Sequence, residues 1–96
     1  MPADHSALHF TLYSRSYCHL CDDMLVALRG LLADHHIDPQ TVRIDIIDVD
    51  ADEALVARFD ELVPVLFGSP DGPELCHYFL DVAAVQGYLA AAGMAK

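Results

Sequence analysis

Within the first 34 residues the spacing of apolar side chains changes from alternating to helical, and the change falls on a pair of cysteines. Leu8-His9-Phe10-Thr11-Leu12-Tyr13 alternates and predicts a short strand. Ser14-Arg15-Ser16-Tyr17 breaks the pattern. From Cys18 to about Asp34 two interleaved rows follow: Cys21, Leu25, Leu28, Leu32 and Leu20, Met24, Ala27, Leu31. Their spacing makes a wide stripe on one helix, which must pack on something. His35-His36-Ile37-Asp38-Pro39 closes that helix, because the residue before a proline is pushed away from helical backbone angles.

The rest of the chain repeats the theme. Val42-Arg43-Ile44-Asp45-Ile46 alternates strictly and Ile47-Asp48-Val49 runs on, which predicts a second strand. Asp50 or Asp52 caps a short second helix from Ala51 to about Phe59, with Ala54, Leu55, Phe59 and Leu62 at helical spacing. Val63-Pro64-Val65-Leu66-Phe67 reads as a buried strand that begins at a proline, where no ladder donor is needed. The 68–73 segment is dense in turn formers, and Glu74-Leu75-Cys76-His77-Tyr78-Phe79 reads as the returning strand of a hairpin. Asp81 caps a last helix in which Val82, Val85, Leu89 and Ala92 share a face and Gly93 is the expected stop. With no repeat, linker or low-complexity tract, residues 1–96 read as one domain. The order β-α-β-α-β-β-α implies an α/β fold: a four-stranded mixed sheet, parallel in its first half, with helices on both faces.

Composition limits what such a domain does. Fifteen acids stand against five bases, for a formal charge of −10. The bases, Arg15, Arg29, Arg43, Arg58 and Lys96, form no cluster, so nucleic acid is not an expected partner. Uninterrupted apolar runs of about five residues fall far short of the ~18 a bilayer helix needs, so no membrane partner is expected either. The 25 Leu, Val and Ile residues argue against intrinsic disorder. The net charge favours a soluble monomer, while the hairpin's outer strand offers an edge for pairing. Met1-Pro2-Ala3-Asp4-His5-Ser6 has neither the basic nor the apolar region of a signal peptide, which predicts a cytoplasmic location. Cysteines there are usually reactive or metal-bound rather than permanently bridged.

The sharpest motif is Cys18-His19-Leu20-Cys21. With three cysteines placed at random, a pair falls three apart in only about 6% of arrangements. Cys18 sits where the helix begins, and the unpaired N–H groups and positive dipole end there favour a thiolate. Cys21 lies one turn in, on the apolar stripe, and is expected to be shielded. An exposed attacker and a shielded resolving thiol are what dithiol chemistry requires. Arg15 and His19 would support the Cys18 thiolate and Asp22 and Asp23 oppose it, so its pKa is expected below that of a free cysteine without an extreme shift.

Other readings stay open from the residues alone. Cys18, Cys21, Cys76 and His77 could make a Cys3His zinc site, and cysteines at this spacing also hold iron–sulfur clusters. Against that, adjacent strand residues such as Cys76 and His77 point to opposite faces, one expected inside and one outside. Covalent haem is not expected, since Asp22 stands where that signature needs histidine. Two inert thiols or a fixed disulfide complete the alternatives. His35-His36 reads as a solvated helix end, and Asp45, Asp48, Asp50, Asp52 and Glu53 read as a solvated acidic edge plus a cap, able to select a basic partner.

The stretch from Leu12-Tyr13-Ser14-Arg15-Ser16-Tyr17 through Cys18-His19-Leu20-Cys21, followed by Val63-Pro64-Val65, resembles the glutaredoxin branch of the thioredoxin fold. More narrowly, it is similar to the small bacterial glutaredoxin-like proteins grouped as a family of unknown function, which also tend to carry C-H-L-C and a strand like Glu74-Leu75-Cys76-His77. The resemblance implies a glutaredoxin-type β-α-β-α-β-β-α domain with Cys18 as nucleophile, Cys21 as resolving thiol and Pro64 as a cis-proline beside the sulfurs. It also implies substrate contacts at Arg15, Tyr17, His19 and Pro64, and a Val63 backbone free to pair with an extended peptide or glutathione. Arg15 stands where glutaredoxins commonly carry a lysine, a partner for a carboxylate. The chain departs from typical glutaredoxins in having C-H-L-C for C-P-Y-C and Cys76-His77-Tyr78-Phe79-Leu80-Asp81 without the Gly-Gly that lets glutathione approach.

The expected function is therefore a thiol–disulfide oxidoreductase acting on a disulfide-containing protein or on glutathione disulfide. It needs no bound cofactor and is restored by glutathione or a thioredoxin-type reductant. The competing expectation is a metal-, cluster- or protein-binding module of the same fold with little turnover.

Overall fold

The structure, a computed structural model, describes residues 8–69 and 72–92. The first strand forms over Leu8–Ser14 (β1) and the first helix over His19–Asp34 (α1). Strand β2 (Val42–Asp48), helix α2 (Glu53–Phe59), strands β3 (Val65–Phe67) and β4 (Glu74–His77) and helix α3 (Val82–Ala91) complete the order. The sheet runs β2-β1-β3-β4: β1 pairs parallel with β2 and antiparallel with β3, and β3 antiparallel with β4. This is the α/β, mixed four-stranded arrangement expected from the periodicity.

Alternation along β1 divides the core in two. Leu8, Phe10 and Leu12 point to one face, where they meet Met24, Leu28 and Leu32 of α1, Val85 and Leu89 of α3, and Leu66 and Cys76 of the hairpin. Tyr13 points to the other face, where Val65 and Phe67 pack with Val49 and with Leu55 and Phe59 of α2. Tyr13 stacks on Phe59 at 4.5 Å and meets Phe67 edge-on at 5.7 Å. Helices thus cover both faces. Each fully buried aliphatic side chain, Leu28 for example, contributes about 1.5–3 kcal/mol relative to exposure.

Several boundaries move, each for a local reason. Cys18 is the cap of α1 rather than its first residue. A 3-10 turn over Val49–Ala51 precedes α2, which Asp52 caps by accepting from the Ala54 amide at 2.8 Å. Strand β3 starts at Val65, after a cis Val63–Pro64 bond. Strand β4 stops at His77 rather than Phe79, because Tyr78 takes a left-handed backbone, φ 64°. In α3 the buried stripe narrows to Val85 and Leu89, Val82 being exposed, and Asp81 caps it through the Ala84 amide at 3.1 Å. His35 is the C-cap of α1 and His36 follows at φ 56°, a left-handed helix end. The expected stop at Gly93 lies outside the described residues.

Candidate functional site

Register places the expected site residues at one end of the sheet. Tyr13 is opposite Val65, and Val65 opposite His77. The residues beyond those pairs, Ser14 onward, Pro64 and Tyr78, therefore lie together at that end. The Tyr78 amide donates to the Pro64 carbonyl at 2.9 Å, and the Tyr78 hydroxyl donates to the Glu61 carbonyl.

Cys18 and Cys21 are joined in a disulfide, with Cα atoms 5.2 Å apart. The backbone at Cys18 is extended (φ −111°, ψ 106°), which lets its sulfur take the place of an N-cap oxygen and accept from the Cys21 amide at 3.1 Å. Cys18 is half-buried, whereas Cys21 is only 4% exposed and sits on the α1 stripe with Met24 and Leu28. The two sulfurs thus differ in access as the motif predicts. His19 is exposed in the first turn of α1, and Asp22 and Asp23 beside it are exposed as well. Tyr17, immediately before Cys18, has φ 58° and a side chain wholly in solvent (103% relative exposure).

Arg15 is engaged within the chain. Its Nε and Nη2 donate to the two carboxylate oxygens of Asp50 at 3.3 and 2.8 Å. A second Nη2 bond reaches Asp60 Oδ1 at 2.9 Å, and Nη1 donates to the Asp60 carbonyl at 3.2 Å. The hydrogen bonds it donates to Asp50 first and Asp60 second raise the guanidinium pKa further. Arg15 ties the loop that carries Cys18 to the segments before and after α2. The Val63 amide is likewise taken, donating to the Phe59 carbonyl at 3.2 Å. An extended chain pairing with Val63 would therefore meet its carbonyl side. Pro64 is buried.

The third cysteine does not join the pair. Cys76 lies opposite Leu66 in the sheet, 7% exposed, while His77 is exposed and 2.7 Å from Glu74 through Nδ1. Burial pushes the Cys76 thiol pKa up, against a backbone hydrogen bond from Asp81 that lowers it. Among the described residues no group of three or more His, Cys, Asp or Glu side chains is placed to hold a metal ion. Two cavities, of about 510 and 280 Å³, are bordered by Arg29, Leu32 and Ile44 and by Gly68, Leu75 and Tyr88, away from both sulfurs. Among the described residues no helix is long and apolar enough to cross a membrane.

Sequence reasoning did not single out Asp60, Tyr78 and Phe79. The two adjacent aromatics where β4 ends were the available signal, for an alternating strand does not expose both. Asp60, 45 residues from Arg15, carried none.

Residues 9–90 match the model of a glutaredoxin-like domain, DUF836. Protein Ne2328 from Nitrosomonas europaea is 33% identical, aligns over 92% of this chain and 98% of its own, and superposes with a TM-score of 0.70. The protein XcR50 from X. campestris is 32% identical over 85% of this chain and 96% of its own, TM-score 0.59. The oxidised mitochondrial thioredoxin 3 of Saccharomyces cerevisiae, 15% identical over 92% of this chain and 81% of its own, shares the fold with a TM-score of 0.58. No curated protein sequence matches this chain. A thioredoxin-type fold with Cys18 and Cys21 at the start of α1 fits a redox role.

Proposed function

Because the chain belongs to the glutaredoxin-like domain family DUF836, we propose that it is a thiol–disulfide oxidoreductase cycling between a Cys18/Cys21 dithiol and their disulfide. The observation that carries this reading is the asymmetry of the pair. One sulfur is half-exposed at a helix start, accepting from the Cys21 amide at 3.1 Å, and the other is buried one turn behind it. The Cys21 amide aimed at Cys18 Sγ favours its thiolate, the nucleophilic form.

The Cys18 thiolate attacks one sulfur of a substrate disulfide. That S–S bond breaks, a Cys18–substrate bond forms, and the departing thiolate takes a proton from water. Cys21 then gives its thiol proton to solvent and attacks Cys18 Sγ, breaking the mixed disulfide and releasing the second substrate sulfur, which is protonated in turn. Two electrons pass from the Cys18/Cys21 pair to the substrate. A dithiol of the thioredoxin class returns them. The working compartment is the cytoplasm, and the working form a monomer.

Equilibration in glutathione redox buffers tests the reading, with thiols counted by mass and Cys76→Ser as control. A reversible two-electron transition between about −200 and −270 mV is expected. Failure to interconvert dithiol and disulfide in any buffer would overturn it.

A further inference from the structure

We propose that the disulfide reduced at this site is carried by a protein segment with apolar and basic side chains flanking the cystine, and that glutathione disulfide is a poor substrate. This rests on the redox reading above and adds the chemistry of the substrate.

The first observation is electrostatic. Segments 14–23, 60–64 and 77–82 meet at the sulfur end of the sheet and hold five carboxylates, Asp22, Asp23, Asp60, Glu61 and Asp81, against one arginine, Arg15, and two histidines, His19 and His77. Asp50 and Asp60 occupy that guanidinium through Nε, Nη1 and Nη2. Glutathione carries more carboxylates than ammonium groups, and its disulfide doubles the imbalance. With Arg15 already bridged, no other arginine or lysine of these three segments is there to receive those carboxylates, and the surrounding acids repel them. A lysine- or arginine-bearing segment is complementary to the same field.

The second observation is apolar and independent of charge. Tyr17, next to Cys18, is fully in solvent, and Phe79 and Val82 beyond β4 are 71% and 46% exposed. Tyr17 and Tyr78 both hold left-handed backbones, φ 58° and 64°. Bulky L-residues seldom adopt that backbone, so surrounding bonds must hold it. Bonds to Pro64 and Glu61 hold Tyr78, and so place Phe79 at the rim. Aromatic groups displayed to water around a reactive sulfur are anchors that a protein partner desolvates, and they are larger than a tripeptide needs.

The test follows oxidation of the reduced full chain by four disulfides, quenching with alkylator and reading masses. These are bis(2-hydroxyethyl) disulfide, oxidised glutathione, and two peptides with the same internal cystine and adjacent leucine, one flanked by lysines and one by glutamates. At low ionic strength the lysine peptide is expected to react at least about tenfold faster than the glutamate peptide and glutathione disulfide, and molar salt to shrink that ratio severalfold. Tyr17→Ser and Phe79→Ser should each lower the ratio of lysine-peptide rate to hydroxyethyl-disulfide rate about fivefold. Asp50→Asn with Asp60→Asn, which releases Arg15, should raise the glutathione disulfide rate. Equal rates for the two peptides, or glutathione disulfide matching the lysine peptide, would overturn the substrate assignment alone. No reaction with even the small neutral disulfide would overturn the redox reading beneath it.

Discussion

The amide of Cys21 donates to the sulfur of Cys18 at 3.1 Å, so the resolving residue also supports the attacking one. The backbone supplies this bond, and it survives any change of the Cys21 side chain that leaves α1 intact. Cys21→Ser should therefore keep a reactive Cys18 and lose only the second step. Incubated with a substrate disulfide, the variant is expected to accumulate a stable mixed disulfide at Cys18, visible by mass, whereas Cys18→Ser accumulates none. Equal trapping by both variants would sink the assignment of roles.

Cys76 behaves as a core residue with a thiol. In the reduced native protein at pH 7, iodoacetamide is expected to label it at least about tenfold more slowly than Cys18, with the difference erased in guanidinium. Burial raises its pKa in the folded state, so the neutral thiol's contribution to stability is complete below the ordinary thiol range near about pH 8.5 and falls away as pH rises towards the folded value. Cys76→Ala should flatten that alkaline limb in denaturant titrations.

Asp45 sits 2.7 Å from His9 Nε2 and accepts from Arg43 Nε at 3.0 Å. These bonds, His9 first, lower its pKa. The stabilisation is therefore present above the ordinary carboxyl range near about pH 4 and lost as pH falls through the depressed value. Asp45→Asn should be less stable than the parent at pH 6, and the gap should close below pH 3. A gap that widens in acid would contradict the sign.

Gly68 has no room for a side chain, since a Cβ there would enter the ring of Tyr88. That ring cannot yield easily: its hydroxyl donates to the His9 carbonyl at 2.8 Å and it packs against Phe10 in a T-shaped pair with centroids 5.2 Å apart. Gly68→Ala is expected to destabilise by about 1–3 kcal/mol through overpacking. In a domain of this size that lowers Tm by roughly 4–8 °C per kcal/mol. Adding Tyr88→Leu should recover part of the loss; a Tm unchanged by Gly68→Ala would refute the contact.

The sequence by itself determined whatever is encoded within a turn or a strand's width. The alternation at Leu8–Tyr13 and the stripe through Cys21, Met24 and Leu28 were legible because period alone separates strand from helix. Asp81 was legible as a cap, and Asp52 as one of two candidates with Asp50, because a cap bonds two or three residues ahead, and Cys76 inside with His77 outside followed from the pleat. The exposed and shielded sulfurs of Cys18 and Cys21 were readable for the same reason. Only the tertiary structure decided what joins distant loops. Arg15 meets Asp50 and Asp60, 35 and 45 residues away, because the parallel β1–β2 pairing and the short α2 return bring three loop ends together. No local pattern carries that meeting. The same holds for the left-handed Tyr78, which is locked by Pro64 and Glu61 and turns Phe79 from a strand residue into part of an exposed rim. A residue's own neighbours set its period and its caps, but the order of strands in the sheet sets which charges cancel and which aromatics are left facing water.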